Sequence, residues 1–253
     1  MQENDFILKA ENIHKSFTDG VKVDALKGVS LSVKHHEFIC LLGYSGCGKS
    51  TLLRVISQLE RQDSGRVLLD GKEYNSPSKD IMFLFQDFNQ LFPWLTVKKN
   101  IMFPLLKTGI CSSKREASEK AEGLLRDVGL SDFMESYPHQ LSGGMKQRAA
   151  VARALLLEPK VLLMDEPFAA LDASTRSHLQ ELTKKICSEH GVTVIFVTHN
   201  IEEAVLMGTR IVVMSAKSRN IDRIIDNSLG KNQELVSELI DVFANQLKEN
   251  DGA

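Results

Sequence analysis

Gly43-Tyr44-Ser45-Gly46-Cys47-Gly48-Lys49-Ser50 decides how the rest of this 253-residue chain is read. The apolar run Phe38–Leu42 leads into it, and Thr51, Leu52 and Leu53 continue from it in a helical pattern. Glycines at that spacing, followed by Lys and Ser between a strand and a helix, make a phosphate-binding loop. Glycine backbones turn successive N–H groups inward at phosphate oxygens, and the helix N-terminus adds partial positive charge. Lys49 is expected to reach the outer phosphates and the Ser50 hydroxyl to ligate Mg2+. Every residue from Gly43 through Thr51 is expected to touch the nucleotide.

Outward from the loop, short apolar runs recur at 6–8, 29–33, 38–42, 67–69, 81–85, 161–164, 192–197 and 211–214. Consecutive apolar positions suit strands covered on both faces. Helical patterns fall at 49–58, 114–128, 142–157, 173–190 and 201–207. The alternation predicts an α/β fold with a mainly parallel sheet. The earliest strands have no helix between them, so an antiparallel β portion is expected to join that sheet. Residues 87–157 carry no convincing strand and read as an inserted helical subdomain, punctuated by Pro93, Pro104 and Pro138. The expected organisation is a P-loop NTPase core at 1–86 and 158–228, the helical subdomain at 87–157, and a C-terminal helix and tail at 229–253. Leu235, Leu239, Val242, Phe243 and Leu247 give the last segment an amphipathic spacing whose plainest use is packing on the core.

Bulk composition narrows the function. Hydrophobic residues are 43%, charged residues 25%, and the net charge is -2. This balance gives no electrostatic reason to expect nucleic-acid binding. Cys40, Cys47, Cys111 and Cys187 form no CxxC pair, and Cys47 lies inside the loop, so a reducing cytoplasm is the simpler setting. No apolar run approaches the ~20 residues that span a bilayer. The first residues lack the charged-then-apolar order of a secretory signal. A chain of this kind is not expected to cross a membrane by itself, and would sit on one only by binding a partner.

A second carboxylate-bearing element completes the chemistry. Val161-Leu162-Leu163-Met164-Asp165-Glu166 is an apolar strand ending in two acids. Asp165 is the expected metal contact, and Glu166 the group that polarises the attacking water as a general base. Leu141-Ser142-Gly143-Gly144-Met145-Lys146-Gln147-Arg148 opens a long helix. Ser142 is a natural N-cap, and Gly143 and Gly144 leave N–H groups open to an anion, so this is a second phosphate-binding helix end.

With that string in place, the chain resembles the nucleotide-binding subunit of an ABC transporter. The string is similar to the family signature LSGGQ, with Met145 in place of Gln, and the likeness runs from Phe17 to about Met214 in family order. The resemblance implies that ATP held on one chain's loop is closed over by Ser142, Gly143 and Gly144 of another chain, an identical copy or a similar ATPase. It implies that Phe17 stacks on adenine, and that Gln86 touches the metal or water and relays the ATP state. Ala170-Leu171-Asp172 resembles the D-loop that crosses the dimer interface. His199 matches the switch histidine at the γ-phosphate, with Asn200 replacing the more usual Asp.

Among family members, exporters usually fuse this domain to membrane helices, and none is present here. The stretch Leu91-Phe92-Pro93-Trp94-Leu95-Thr96-Val97, with Glu202-Glu203-Ala204-Val205 and Arg210-Ile211-Val212-Val213-Met214, resembles the nitrate/sulfonate/taurine group of importer ATPases. That resemblance implies transmembrane permease subunits and, through them, an extracytoplasmic solute-binding protein. A soluble ABC-type ATPase outside transport, such as one serving iron–sulfur cluster assembly, is the alternative reading.

Overall fold

Strands that are apolar at every position bury both faces, and those that alternate pair as an antiparallel ribbon. The computed structural model describes residues 5–87, 90–169, 171–227 and 233–251. In chain order the elements are β1 Phe6–Asp19, β2 Val21–Lys34, β3 Phe38–Leu42, α1 Lys49–Ile56, β4 Ser64–Leu69, β5 Lys72–Glu73, β6 Ile81–Leu84, α2 Val97–Thr108, α3 Lys114–Asp127, α4 Gly143–Leu155, β7 Val161–Asp165, α5 Ala173–Glu189, β8 Thr193–Thr198, α6 Ile201–Met207, β9 Arg210–Ser215, β10 Asn220–Asp226 and α7 Gln233–Asp251. They divide between two compact units, Met1–Ser78 with Thr193–Ala253, and Lys79–Val192.

In the first unit, β2, β1, β4 and β5 form an antiparallel sheet in that order. Ala10 pairs with Leu31 on one side and Val67 on the other. The strand β3, buried along its whole length, lies parallel to both β8 and β9. Cys40 pairs there with Phe196 and with Ile211. The strand β10 adds antiparallel to β9. Leu235, Leu239 and Phe243, four residues apart, form the buried stripe of α7.

In the second unit, β6 and β7 pair in parallel, Ile81 opposite Val161. Leu105 of α2, Cys111 and Ala117 of α3 make a buried helical core, with Met102, Leu106, Ile110 and Leu156 packed against it. The α/β class, the parallel pairings and the presence of an antiparallel portion are as expected, but the early antiparallel strands pair among themselves in a sheet of their own and do not join the parallel one.

Two local expectations need correction. Pro104 does not punctuate; it lies inside α2. That helix is fixed at its start by Thr96, whose side chain accepts from the Lys99 N–H, and ends at Gly109 with φ 74. Proline there removes one N–H, a loss that packed flanks tolerate. The strands β1 and β2 each run 14 residues, far beyond the apolar runs at 6–8 and 29–33. Cross-strand pairing carries them through polar positions such as Ser16 opposite Asp24.

Candidate functional site

The phosphate loop springs from the buried end of β3 and closes on α1. Gly48, the residue before α1, has φ 106, and a Cβ there would lie 2.5 Å from the Ala25 carbonyl oxygen. Only glycine meets both demands. Lys49 is 5% exposed. Its ammonium donates to the carbonyls of Gly43 at 2.6 Å and Tyr44 at 2.9 Å, and to the Cys47 sulfur at 3.9 Å. A buried charge needs such partners, and these centre the ammonium in the loop. Burial pushes the Cys47 thiol up, and the neighbouring Lys49 charge only partly offsets this. Ser45 and Gly46 are exposed, while Ser50 and Thr51 are half-buried in the first turn of α1. The Arg219 guanidinium donates to the Gly46 carbonyl. The Tyr44 hydroxyl donates to the Phe243 carbonyl at 3.2 Å.

Two more expected residues lie in this first unit. Phe17 stands on β1 opposite Val23 and is 42% exposed, with the Lys15 ammonium 5.1 Å from its ring centroid. A ring that open is a surface for stacking and is not core. His199 is exposed in the turn between β8 and α6. Its neighbours are clasped: Thr198 donates its hydroxyl to the Glu203 carboxylate at 2.6 Å and accepts from the Asn200 N–H at 3.0 Å. The Asn200 side chain caps α6 by accepting from the Glu203 N–H at 3.1 Å.

The second unit holds the acids. The five residues of β7 are buried and deliver Asp165, 7% exposed, at the strand end. Glu166 follows with φ 43. A carboxylate residue in the left-handed region costs on the order of 1 kcal/mol, a strain that clusters at functional sites. Gln86 is exposed just beyond β6. The Gln90 amide accepts from the Phe85 N–H at 3.1 Å and donates to the carbonyls of Phe85 at 2.7 Å and Asp87 at 2.6 Å, pinning the backbone on both sides of Gln86.

At the start of α4, Ser142 accepts from the Met145 N–H at 3.3 Å. Ser142 and Gly143 are exposed, and a Cβ on Gly143 would meet nothing within 4 Å. A Cβ on Gly144 would lie 2.6 Å from the Thr175 methyl of α5, so the two helices touch here through hydrogen. Asp172 caps α5, accepting from the Thr175 N–H at 3.0 Å. The Thr175 amide and hydroxyl hold the Asp172 carboxyl below its usual range. Ala170, the first residue of the expected D-loop, lies outside the described residues.

Trp94 is 70% exposed, with its ring 5.4 Å from that of Phe92, and Phe92 in turn packs edge-on against Phe103. Asn100, fully buried in α2, holds this loop. Its Oδ1 accepts from the Phe92 N–H at 2.7 Å, and its Nδ2 donates to the carbonyls of Phe92, Leu95 and Thr96 at 3.0–3.1 Å.

Asn100, Gln90 and Arg219 were not anticipated, and Glu203 was quoted only for its resemblance, without its bond to Thr198. Glu203 had a signal, since Asn200 followed three residues later by Glu is capping-box spacing. The others are lone polar residues whose partners are set only by the tertiary fold.

Residues 26–169 match the family model for the ABC transporter. An uncharacterized ABC transporter ATP-binding protein of Methanocaldococcus jannaschii is 46% identical over 91% of this chain and 85% of its own length. An aliphatic sulfonates import ATP-binding protein of Bacillus cereus is 44% identical over 86% of each chain. Among solved structures, a dimeric post-hydrolysis ATP-binding cassette bound to ADP and Pi superposes with TM-score 0.78 at 36% identity, covering 87% of this chain and 98% of that one. The Clostridium perfringens protein cbiO1, part of the ABC transporter complex cbiONQ, gives TM-score 0.80 at 29% identity over 98% and 100% of the two chains. The chain belongs to the ABC transporter family, as one of its ATP-binding subunits.

Proposed function

We propose that this chain is the ATP-hydrolysing subunit of an importer for a small solute of the nitrate, sulfonate or taurine kind, acting as a nucleotide-sandwich dimer on separate permease subunits at the cytoplasmic face of the membrane. The observation that carries the reading is the near full-length match to an aliphatic sulfonates import ATP-binding protein. The exposed Trp94, on a loop that Asn100 holds rigid, adds a ready contact for a permease helix. A solute-binding protein outside the membrane would deliver the solute. No helix of the described residues is long and apolar enough to cross a membrane. The soluble-ATPase alternative has no observation in its favour.

In the proposed cycle, Lys49 and the loop N–H groups hold the phosphates and Phe17 stacks on the adenine. Ser50, Asp165 and Gln86 offer only oxygen donors, a set that fits Mg2+. Bound Mg2+ would neutralise charge on the phosphates. Glu166 takes a proton from the attacking water, and His199 steadies the γ-phosphate as it leaves. Ser142, Gly143 and Gly144 of the second chain cap that phosphate, with Asp172 at the shared interface. Closure follows from ATP binding because ATP has higher affinity for the closed pair.

Purification of the tagged chain from solubilised membranes tests the reading. A polytopic membrane subunit in stoichiometric amount is expected. A complex with soluble assembly proteins and no membrane subunit would contradict it.

A further inference from the structure

The phosphate loop is gripped from outside at two points, and both grips come from the C-terminal part of the chain. Arg219, in the turn between β9 and β10, donates to the Gly46 carbonyl. Phe243 of α7 holds Tyr44 twice: its ring lies 4.9 Å from the Tyr44 ring at 52°, and its carbonyl accepts from the Tyr44 hydroxyl at 3.2 Å. Both residues lie outside the stretch 26–169 that matches the family model. Tyr44 is also the residue whose own carbonyl receives the Lys49 ammonium at 2.9 Å and the Cys47 N–H at 3.3 Å. One residue therefore joins α7 to the charge at the centre of the loop. Phe243 is 7% exposed, at the end of the stripe that Leu235 and Leu239 begin.

We propose that α7 is a buttress of the phosphate loop: Phe243 fixes Tyr44, and Tyr44 fixes the Lys49 ammonium, so that docking of α7 and binding of nucleotide strengthen each other. Phe243 and Tyr44 are thus positioning residues for Lys49. Coupling of this kind is reciprocal, so ATP must tighten α7 by the factor by which α7 tightens ATP. A partner that lifts α7 would loosen the loop's hold on ATP without approaching the nucleotide. The inference rests on the reading that the loop holds the phosphates.

The test uses the full-length chain with Mg2+ and ATP, carrying Glu166→Gln for binding measurements. Phe243→Ala is expected to weaken ATP binding about tenfold, within the usual range for coupled sites. Tyr44→Phe, which keeps the ring and loses one hydrogen bond, is expected to weaken it about threefold. With Glu166 restored, Phe243→Ala should raise KM for ATP and leave kcat within about twofold. Ile240→Ala, on the 52% exposed side of α7, should change nothing. Hydrogen exchange of α7 should slow when ATP is added. Unchanged ATP affinity in folded Tyr44→Phe, or α7 exchange indifferent to ATP, would overturn the proposal. Full ATP affinity in Lys49→Ala would instead remove the reading on which it rests.

Discussion

The hydroxyl of Thr198 donates to the Glu203 carboxylate at 2.6 Å, and Asn200 completes a ring of hydrogen bonds around the backbone of His199. His199 stands exposed at the end of a buried strand, so its aim depends on this clasp. Glu203→Ala removes the acceptor at the centre of the ring. It should lower kcat by about tenfold to a hundredfold, the scale on which a misplaced catalytic group is felt. Glu203→Gln keeps an acceptor and should recover most of the loss. Steady-state turnover with ATP affinity measured alongside checks this; equal loss in both variants would point to a different role for the carboxylate.

Asn100 is expected to be a stability and interface residue in one. Asn100→Ala takes the side-chain partner from the Phe92 N–H and the Leu95 carbonyl, while the Phe92 and Thr96 carbonyls keep the backbone N–H groups of Leu95 and Asn100. Each such orphan costs about 1–3 kcal/mol, so a clear fall in Tm is expected. Trp94 is the sole tryptophan, so its fluorescence should report loosening of the loop. Trp94→Ala, at a 70% exposed site, should keep Tm and basal ATPase while weakening coupling to the membrane subunit.

The two signature glycines should separate. Gly144→Ala puts a methyl within 2.6 Å of the Thr175 methyl, and overpacking of this kind costs about 1–3 kcal/mol. Gly143→Ala meets nothing within 4 Å and should leave Tm unchanged. If Gly143 approaches phosphate across the dimer, its methyl should nonetheless cut turnover several-fold. Thermal melts paired with phosphate release distinguish the two outcomes.

Much of the fold was legible because its signals are local. Phe38–Leu42 is apolar throughout and leads into a glycine pattern with one known use, so strand, loop and helix were readable together. Ser142, Asp172 and Asn200 each cap a helix as their residue types allow. Pro104 misled, since a proline looks the same whether it ends a helix or is carried inside one. The strand β10 was missed because its residues are half polar and its partner β9 is needed to define it. Among candidate site residues, those of the loop and of the strand end in Asp165 announce themselves by spacing. Gln90, Asn100 and Arg219 do not, because each acts on a backbone segment that only the folded chain brings near.

Ser50, Asp165 and Gln86 are proposed to share the cation, so its removal should stop the chemistry and spare part of the binding. Chelation should abolish phosphate release, and Asp165→Asn should raise the Mg2+ concentration needed for half-maximal turnover. A variant with unaltered Mg2+ dependence would move Asp165 out of the metal's surroundings.

Glu166 carries the central claim, that hydrolysis occurs in a site completed by a second chain. The direct measurement is light scattering on Glu166→Gln with ATP and Mg2+, read beside its phosphate release. The expected result is a doubling of mass on adding ATP, reversed on removing it, with turnover reduced at least about a hundredfold, as loss of a general base implies. A variant that stays monomeric with ATP bound and hydrolyses at the wild-type rate would contradict both halves of the claim.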